Sequence, residues 1–290
     1  MKHVAVLGPG GVGGLVAAAL DRAGTPVSVV ARSETVAILE RDGLRVSSVR
    51  LGDFVARPRA IPLLSWPVDV LIVATKATAL REALERVKRP FPALVFPLLN
   101  GLDHLPVLRE HFGPERVIAA VIRVESDRPA PGVIAQTSPF LRIDLAPDPR
   151  AEGVAHLLRA AEIPTRIGES EAEVMWRKLV RLNALACTTA AHGAPLGEIR
   201  TRADWRAELV GAVEEGAAVA RAEGAPIEAG PVLEELWEAH ASLTSSLARD
   251  VAAGRENELD AIAGAVLRAA ARHGLQCPTI AALADAVRSR

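Results

Sequence analysis

The sequence predicts an α/β protein with an N-terminal doubly wound parallel sheet and a C-terminal all-helical domain. Three observations support this prediction: short apolar runs that alternate with amphipathic stretches in the first half, a glycine-rich loop after the first run, and long alanine-rich stretches in the second half. Apolar runs separated by helices are typical of parallel strands buried on both faces. The change in character predicts a first domain over residues 1–167 and a helical domain over residues 168–290.

The elements of the first half follow from where apolar residues recur. Continuous apolar runs bounded by turn residues predict buried strands, and amphipathic runs between them predict helices. The predicted strands cover residues 4–7, 27–31, 70–74, 93–99, 117–122, 133–136 and 141–145, with a small hairpin over 44–55. The predicted helices are an alanine-rich stretch up to Ala23, residues 35–41 and 78–87, a stretch before residue 117, and the helix of a helix–strand pair over 151–167.

The second half consists of amphipathic stretches separated by glycine and proline, which predicts helices joined by short turns. These stretches cover residues 171–190, 205–223, 230–241, 244–253, 256–273 and 279–287. A short connection near residue 168 is expected to join two domains that share a cleft.

A glycine-rich loop lies between the first predicted strand and the first predicted helix. The loop contains the candidate cofactor-binding residues Gly8, Gly10, Gly11, Val12 and Gly13. The first glycine allows a tight turn, the second lets the backbone approach a pyrophosphate, and the last lets helix and strand pack closely. Because a helix N-terminus also attracts anions, the loop predicts a Rossmann-like dinucleotide-binding domain rather than a purely structural turn.

The end of the second strand indicates which dinucleotide binds. An NAD site usually has an acidic residue there, which holds the ribose 2′-hydroxyl group, whereas this chain has Arg32 followed by Ser33. A guanidinium group suits a 2′-phosphate, so the sequence favours NADP(H). In the alternative interpretation Arg32 is a solvated surface residue and Glu34 takes the role of the acid.

Composition limits the partners and the location. The formal net charge is −1 and 50% of the residues are hydrophobic, which gives no electrostatic reason to expect a nucleic acid or an anionic membrane as partner. We see no signal peptide and no apolar run of about 18 residues, so we expect a cytoplasmic protein. Cys187 and Cys277 fit no metal-ligand spacing, and no metal is expected. The alanine-rich helices could form a homodimer surface.

Lysine is rare in this chain, since only four of the 34 basic residues are lysines. Lys76 and Asn100 follow the carboxyl ends of predicted buried strands, the edge where open parallel sheets bind ligands. Lys178 stands among apolar neighbours, where an ammonium group is costly unless it is paired. The alternatives are a surface lysine for Lys76, an ordinary turn at Asn100-Gly101, and a lysine reaching solvent for Lys178.

With these residues in place, the sequence resembles the ketopantoate reductase (2-dehydropantoate 2-reductase) family over essentially its whole length. The matching pieces keep the order and spacing of that family. They are the loop from Gly8 to Gly13, Arg32, Thr75-Lys76-Ala77, Asn100-Gly101, Pro131-Gly132, Trp176-Arg177-Lys178-Leu179, Thr189-Ala190, Thr244-Ser245-Ser246, and Glu258-Leu259-Asp260 with Gly264.

The resemblance implies reduction of a 2-oxo acid, with roles for particular residues. Lys178 would be the general acid that protonates the carbonyl oxygen, held charged near Glu258. Asn100 would orient cofactor and lysine through neutral hydrogen bonds, and Lys76 would lie on the nicotinamide side. Ser246 would bind the small-molecule substrate.

The chain departs from the family pattern at several substrate-side positions. Leu182 and Ala186 replace asparagines four and eight residues after the lysine, and Asn183, one place later than the first, is a candidate substrate-binding residue. Ala79 and Ala263 replace a glutamine and an asparagine. Three functions therefore stay open: ketopantoate reduction to pantoate in pantothenate biosynthesis, reduction of a less polar 2-oxo acid or ketone, and NADPH binding without turnover.

Overall fold

The computed structural model describes residues 2–290, and the chain forms two compact units. The first unit contains the residues up to Leu99 together with His104–Val174. The second unit contains Asn100–Asp103 together with Met175–Arg290. The short segment Asn100–Asp103 therefore belongs to the second unit, although it lies within the first half of the sequence.

The first unit is built from strands and helices. Its strands are β1 (Val4–Leu7), β2 (Val27–Val30), β3 (Leu44–Ser48), β4 (Phe54–Ala56), β5 (Arg59–Ile61), β6 (Val70–Val73), β7 (Leu94–Pro97), β8 (Ala120–Arg123), β9 (Ser126–Ala130), β10 (Val133–Gln136), β11 (Arg142–Leu145) and β12 (Thr165–Ile167). Its α-helices are α1 (Gly11–Arg22), α2 (Ser33–Asp42), α3 (Leu80–Leu84), α4 (His104–Phe112) and α5 (Ala151–Ala160), and 3₁₀ turns cover Ala77–Ala79 and Pro114–Arg116.

The central sheet of this unit is parallel throughout, with strand order β5-β2-β1-β6-β7. All residues of β1, β2, β6 and β7 are buried, as expected for strands covered on both faces. Leu7 at the end of β1 pairs with Val30 of β2 and Val73 of β6. The carboxyl ends of these three strands therefore lie side by side, and the segments that follow them share one edge of the sheet.

The predicted parallel sheet is confirmed in this central part, and the predicted hairpin over residues 44–55 is confirmed by the antiparallel pair β3–β4, but the strands after β7 lie outside the central sheet. Those strands lie in a four-stranded sheet ordered β4-β3-β10-β9 and a three-stranded sheet ordered β12-β11-β8, and each of these sheets mixes parallel and antiparallel pairs. The turn at Gly132, with φ +78°, joins β9 directly to β10, which leaves no crossover helix between them. Strand β9 was not predicted, because it is largely exposed and contains a proline.

The second unit is helical, as predicted. Its helices are α6 (Glu171–His192), which begins in the first unit, α7 (Leu196–Thr201), α8 (Ala203–Ala222), α9 (Ala229–Glu238), α10 (Ser246–Ala252), a π-helical segment (Asp260–Gly264), α11 (Ala265–Arg272) and α12 (Pro278–Arg288). Helix α8 contacts α7, α9, α11 and α12. Within the described part of the chain, residues 2–290, there is no helix long and apolar enough to cross a membrane.

Candidate active site

The glycine loop has the backbone geometry that a tight strand-to-helix turn requires. Gly8 has φ +92°, and a Cβ atom there would lie 2.8 Å from Cγ2 of Thr75. A Cβ atom on Gly13 would lie 2.2 Å from the carbonyl oxygen of Gly8 and 2.9 Å from Cβ of Ala74. Neither position has room for a side chain, so the first turn of α1 packs directly on the loop and on the end of β6.

The loop also leaves space where a ligand could approach. Gly10 is the N-cap of α1, and a Cβ atom built there meets no atom within 4 Å. The first amide groups of α1, from Gly11 and Val12 onward, have no acceptors within the helix and suit an anion. Beside the loop, Oγ1 of Thr75 is buried without a hydrogen-bond partner among the described residues. Open space, helix amides and this unpaired hydroxyl group fit a dinucleotide pyrophosphate.

Arg32 and Lys76 lie at the same edge of the central sheet as the loop. Arg32 is the N-cap of α2 and follows β2, while Lys76 precedes the 3₁₀ turn that follows β6. The Arg32 side chain is 64% exposed, and Lys76 is also exposed. Glu34, the alternative acid of the sequence analysis, lies in the first turn of α2 and is exposed. Both cations are accessible to an anionic ligand at this edge.

A chain of hydrogen bonds in the second unit joins three of the predicted site residues. Nζ of Lys178 donates to Oδ1 of Asn100 over 2.8 Å, and Nδ2 of Asn100 donates to Oε2 of Glu258 over 2.9 Å. All three residues are partly buried. An amide group between a cation and a carboxylate has only one favourable orientation, with its oxygen toward the cation. Asn100 is therefore held in place from both sides.

The backbone next to Asn100 explains how a residue of the first half reaches this cluster. Gly101 has φ +82°, and a Cβ atom on it would lie 2.1 Å from the carbonyl oxygen of Ala261. Ala261 belongs to the π-helical segment that begins two residues after Glu258. Such single-turn π segments occur often at functional sites. The absence of a side chain at Gly101 thus lets the Asn100 segment pack against the same element that carries Glu258.

Ser246, the predicted substrate-binding serine, is the first residue of α10 and is exposed. Its neighbour Ser245 is the N-cap: its Oγ accepts from the backbone N–H of Ala248 over 3.0 Å and lies 3.1 Å from Oγ1 of Thr189. Since Thr189 Oγ1 donates to the carbonyl oxygen of Leu185 over 2.7 Å, the Ser245 hydroxyl group donates to Thr189. This buried link joins α10 to α6, the helix of Lys178.

The link between Ser245 and Thr189 was not identified from the sequence. Both residues lie in matching pieces of the family pattern, but neither was predicted to have a role of its own. A serine directly before an amphipathic stretch is a signal for an N-cap and could have indicated Ser245. The bond to Thr189 depends on tertiary contacts and leaves no local signal.

The predicted substrate-side residue Asn183 is fully buried in α6. Its Oδ1 accepts from Sγ of Cys187 over 3.5 Å, and its Nδ2 has no hydrogen-bond partner within the described part of the chain. Burial raises the pKa of the Cys187 thiol to about 12. Ala186 and Ala263 are also fully buried, whereas Leu182 is partly exposed. Of these positions on α6, only Leu182 combines partial exposure with the helical face of Lys178, four residues earlier.

This arrangement can hold and deliver a proton. An ammonium group donates up to three hydrogen bonds, and Lys178 uses one of them on the neutral oxygen of Asn100. On the other side of the amide, the carboxylate of Glu258 accepts from Nδ2 of Asn100 and so holds the amide oxygen toward the ammonium group. Residues 2–290 contain no cluster of three or more His, Cys, Asp or Glu side chains that could hold a metal ion.

Known proteins resemble this chain over its whole length. A family model described as ketopantoate reductase PanE/ApbA matches residues 4–147, and its C-terminal counterpart matches residues 172–290. A 2-dehydropantoate 2-reductase from Mycobacterium tuberculosis is 32% identical over 282 residues, covering 95% of this chain and 93% of the relative. The crystal structure of 2-dehydropantoate 2-reductase from Geobacter metallireducens GS-15 superposes with a TM-score of 0.91 at 28% identity and covers 99% of both chains. A D-mandelate dehydrogenase with NADH and anilino(oxo)acetate shares the fold, with a TM-score of 0.89 at 19% identity over 99% of this chain and 97% of that one.

Proposed function

The chain belongs to the ketopantoate reductase family and is an oxidoreductase, and on that premise we propose that it reduces a 2-oxo acid to the (R)-2-hydroxy acid with NADPH. The proposed substrate is 2-dehydropantoate (ketopantoate), and the product is pantoate, an intermediate of pantothenate biosynthesis. The observation that carries this proposal is the hydrogen-bonded chain Lys178–Asn100–Glu258. A lysine held in this way is suited to acid catalysis at a carbonyl oxygen.

The proposal assigns the cofactor to the glycine loop and the sheet edge beside it. The backbone of Gly8, Gly10, Gly11, Val12 and Gly13 would hold the pyrophosphate at the N-terminus of α1. Arg32 would pair with the 2′-phosphate. Lys76 and Asn100 would lie on the nicotinamide side of the cofactor. When bound, the dinucleotide supplies a hydride for the carbonyl carbon of the substrate.

Lys178 acts on the carbonyl oxygen of the substrate in this mechanism. Negative charge grows on that oxygen during reduction, and a positioned cation stabilises it. Nζ of Lys178 then gives a proton to the oxygen, which completes the hydroxyl group. Asn100 keeps Nζ oriented through its Oδ1, and Glu258 fixes Asn100 through its Nδ2. The protein contributes geometry and charge, and the proton comes from the lysine.

Ser246 binds the carboxylate or hydroxyl end of the substrate in this proposal. It starts α10 and is exposed, so its hydroxyl group can donate a hydrogen bond to a carboxylate oxygen. The buried bond between Ser245 and Thr189 holds the start of α10 on α6. Asn183 remains a candidate substrate-binding residue, although its side chain is fully buried among the helices.

The test uses the purified protein and follows NADPH oxidation with ketopantoate. We expect turnover with ketopantoate and (R)-pantoate as the product, identified by chiral chromatography. Tight NADPH binding without turnover of any 2-oxo acid would instead support a non-catalytic binding protein. A mass measurement in solution tests the homodimer that the alanine-rich helices of the second unit could form.

A second candidate substrate class is a less polar 2-oxo acid or ketone. The observation that favours it is Leu182, which is partly exposed on the helical face of Lys178 where the family pattern has an asparagine. An apolar side chain there would contact an apolar substrate better than a hydroxylated one. A panel of branched 2-oxo acids separates the two candidates by kcat/KM: this class requires ketopantoate to be the poorest substrate.

A further inference from the structure

Arg32, the residue proposed for the 2′-phosphate, already faces a carboxylate. Its Nε lies 3.9 Å from Oε1 of Glu82, and the two side chains are 64% and 61% exposed. Glu82 lies in α3, which is far from Arg32 along the sequence. Nothing in the pattern of the sequence indicates this pair, because it is created by the order of strands in the sheet.

The strand order places the pair across the glycine loop. Strand β1 lies between β2 and β6, and the ends of all three strands are in register. Arg32 follows β2, and α3 follows β6 after one 3₁₀ turn. An ion pair between them therefore passes over the edge at which β1 enters the glycine loop. Dinucleotides bind at this edge of open parallel sheets.

Glu82 has a second cationic partner. Nη2 of Arg86, which follows the end of α3, lies 3.7 Å from the same oxygen, Oε1. Exposed ion pairs of this kind are weak, because water screens both charges. Arg32 can therefore leave Glu82 for another anion at small cost, while Arg86 keeps Glu82 in place near the site.

We propose that Glu82 is a specificity-determining residue that lowers the preference for NADPH over NADH. Glu82 competes with the 2′-phosphate for Arg32, and its negative charge repels the phosphate once that group is bound. The 2′-hydroxyl group of NADH carries no charge, and a carboxylate can accept a hydrogen bond from it. The inference rests on the proposed role of Arg32 in the cofactor site.

The test measures binding, not turnover, with NADP⁺ and NAD⁺, which differ only in the 2′-phosphate. We expect Glu82→Gln to bind NADP⁺ about 3- to 10-fold more tightly than the wild type at low salt. NAD⁺ should bind to this variant no more tightly than to the wild type. The matched control is Glu85→Gln, which removes the same charge from an exposed residue at the end of the same helix. The gain should shrink as salt is added, because exposed charges are screened.

Two further variants separate this inference from the proposed cofactor. Arg32→Gln should lose most of the preference for NADP⁺ over NAD⁺. In the double variant that combines Arg32→Gln with Glu82→Gln, the gain in NADP⁺ affinity expected for Glu82→Gln alone should vanish. If Arg32→Gln behaves as expected but Glu82→Gln matches Glu85→Gln, the inference about Glu82 is wrong and the cofactor proposal stands. If Arg32→Gln leaves the NADP⁺ preference unchanged, the assignment of Arg32 itself is wrong.

Discussion

Gly101 packs against the carbonyl oxygen of Ala261 so closely that a Cβ atom on the glycine would lie 2.1 Å from that oxygen. Contacts of this length do not occur between real Cβ and oxygen atoms, so any side chain at Gly101 must displace the backbone. Asn100 directly precedes Gly101 and would be displaced with it, and the amide group of Asn100 lies between Lys178 and Glu258. The position of this proton-holding chain therefore depends on a glycine that makes no hydrogen bond within it.

Gly101→Ala should lower both stability and kcat. A positive φ alone costs an alanine about 1 kcal/mol, and the clash with Ala261 adds to this. Because a small displacement of a catalytic group can cost about 100-fold in rate, we expect kcat to fall at least 10-fold. The control is Gly224→Ala, which has the same φ of +82° but no atom within 4 Å of the new Cβ. Equal losses in the two variants, by urea unfolding and by kcat, would contradict the role of this contact.

Lys178→Met should abolish most of the turnover while cofactor binding persists. Removal of a general acid typically costs about 10²- to 10⁴-fold in rate, and methionine keeps a similar length without the proton. Lys178→Arg should also be poor, because a guanidinium group keeps the charge but does not release its proton. Single-turnover kinetics and NADP⁺ titration measure the two effects. Lys88→Met, at an exposed position, is the control. Unchanged kcat in Lys178→Met would remove the proposed mechanism.

Thr189→Val should weaken substrate binding through α10. The substitution leaves the buried hydroxyl group of Ser245 without its acceptor, which costs about 1 to 3 kcal/mol of unfolding free energy. Since Ser246 begins the same helix, we expect KM for the 2-oxo acid to rise while the NADP⁺ affinity stays constant. Thr188→Val is a matched control, because among residues 2–290 the Thr188 hydroxyl group bonds only to carbonyl groups of its own helix. A KM change of equal size in both variants would show that the α6–α10 link has no such role.

The buried thiol of Cys187 predicts a loss of stability at alkaline pH. Burial raises its pKa from the ordinary value of 9.0 to about 12, so above pH 9.0 the unfolded chain loses the proton while the folded chain keeps it. The unfolded state then binds fewer protons, and the free energy of unfolding falls as pH rises from about 9 toward 12. Urea unfolding at pH 8 and pH 10.5 measures this fall, which should be smaller in Cys187→Ala. An identical pH dependence in both proteins would be the contrary result.

The sequence predicted the parts of the fold that local patterns determine. The glycine loop, the buried strands on either side of it and the helices of the second unit each follow from residues close together in the chain. Apart from the hairpin over residues 44–55, the pairing in the two mixed sheets was not predicted, because strand pairing depends on which segments meet and not on their own composition. Strand β5, three residues long, was too short to stand out.

The candidate site was predictable as a set of residues and not as a geometry. Lys178 and Asn100 stood out by residue type and position, but their hydrogen bond joins residues 78 positions apart. The packing of Gly101 on Ala261 and the pairing of Arg32 with Glu82 depend on long-range register in the same way. Asn183 shows the converse: its place on α6 made it a candidate, whereas its complete burial is decided by neighbouring helices.

The assignment of Asn100–Asp103 to the second unit has a practical consequence for dissecting the protein. A truncated polypeptide that starts at Met175 would carry Lys178 and Glu258 but not the amide that joins them. Such a fragment would also expose the Ala261 surface that Gly101 covers. The second unit is therefore not one uninterrupted stretch of sequence, and a circularly permuted or co-expressed design would have to supply the missing tetrapeptide.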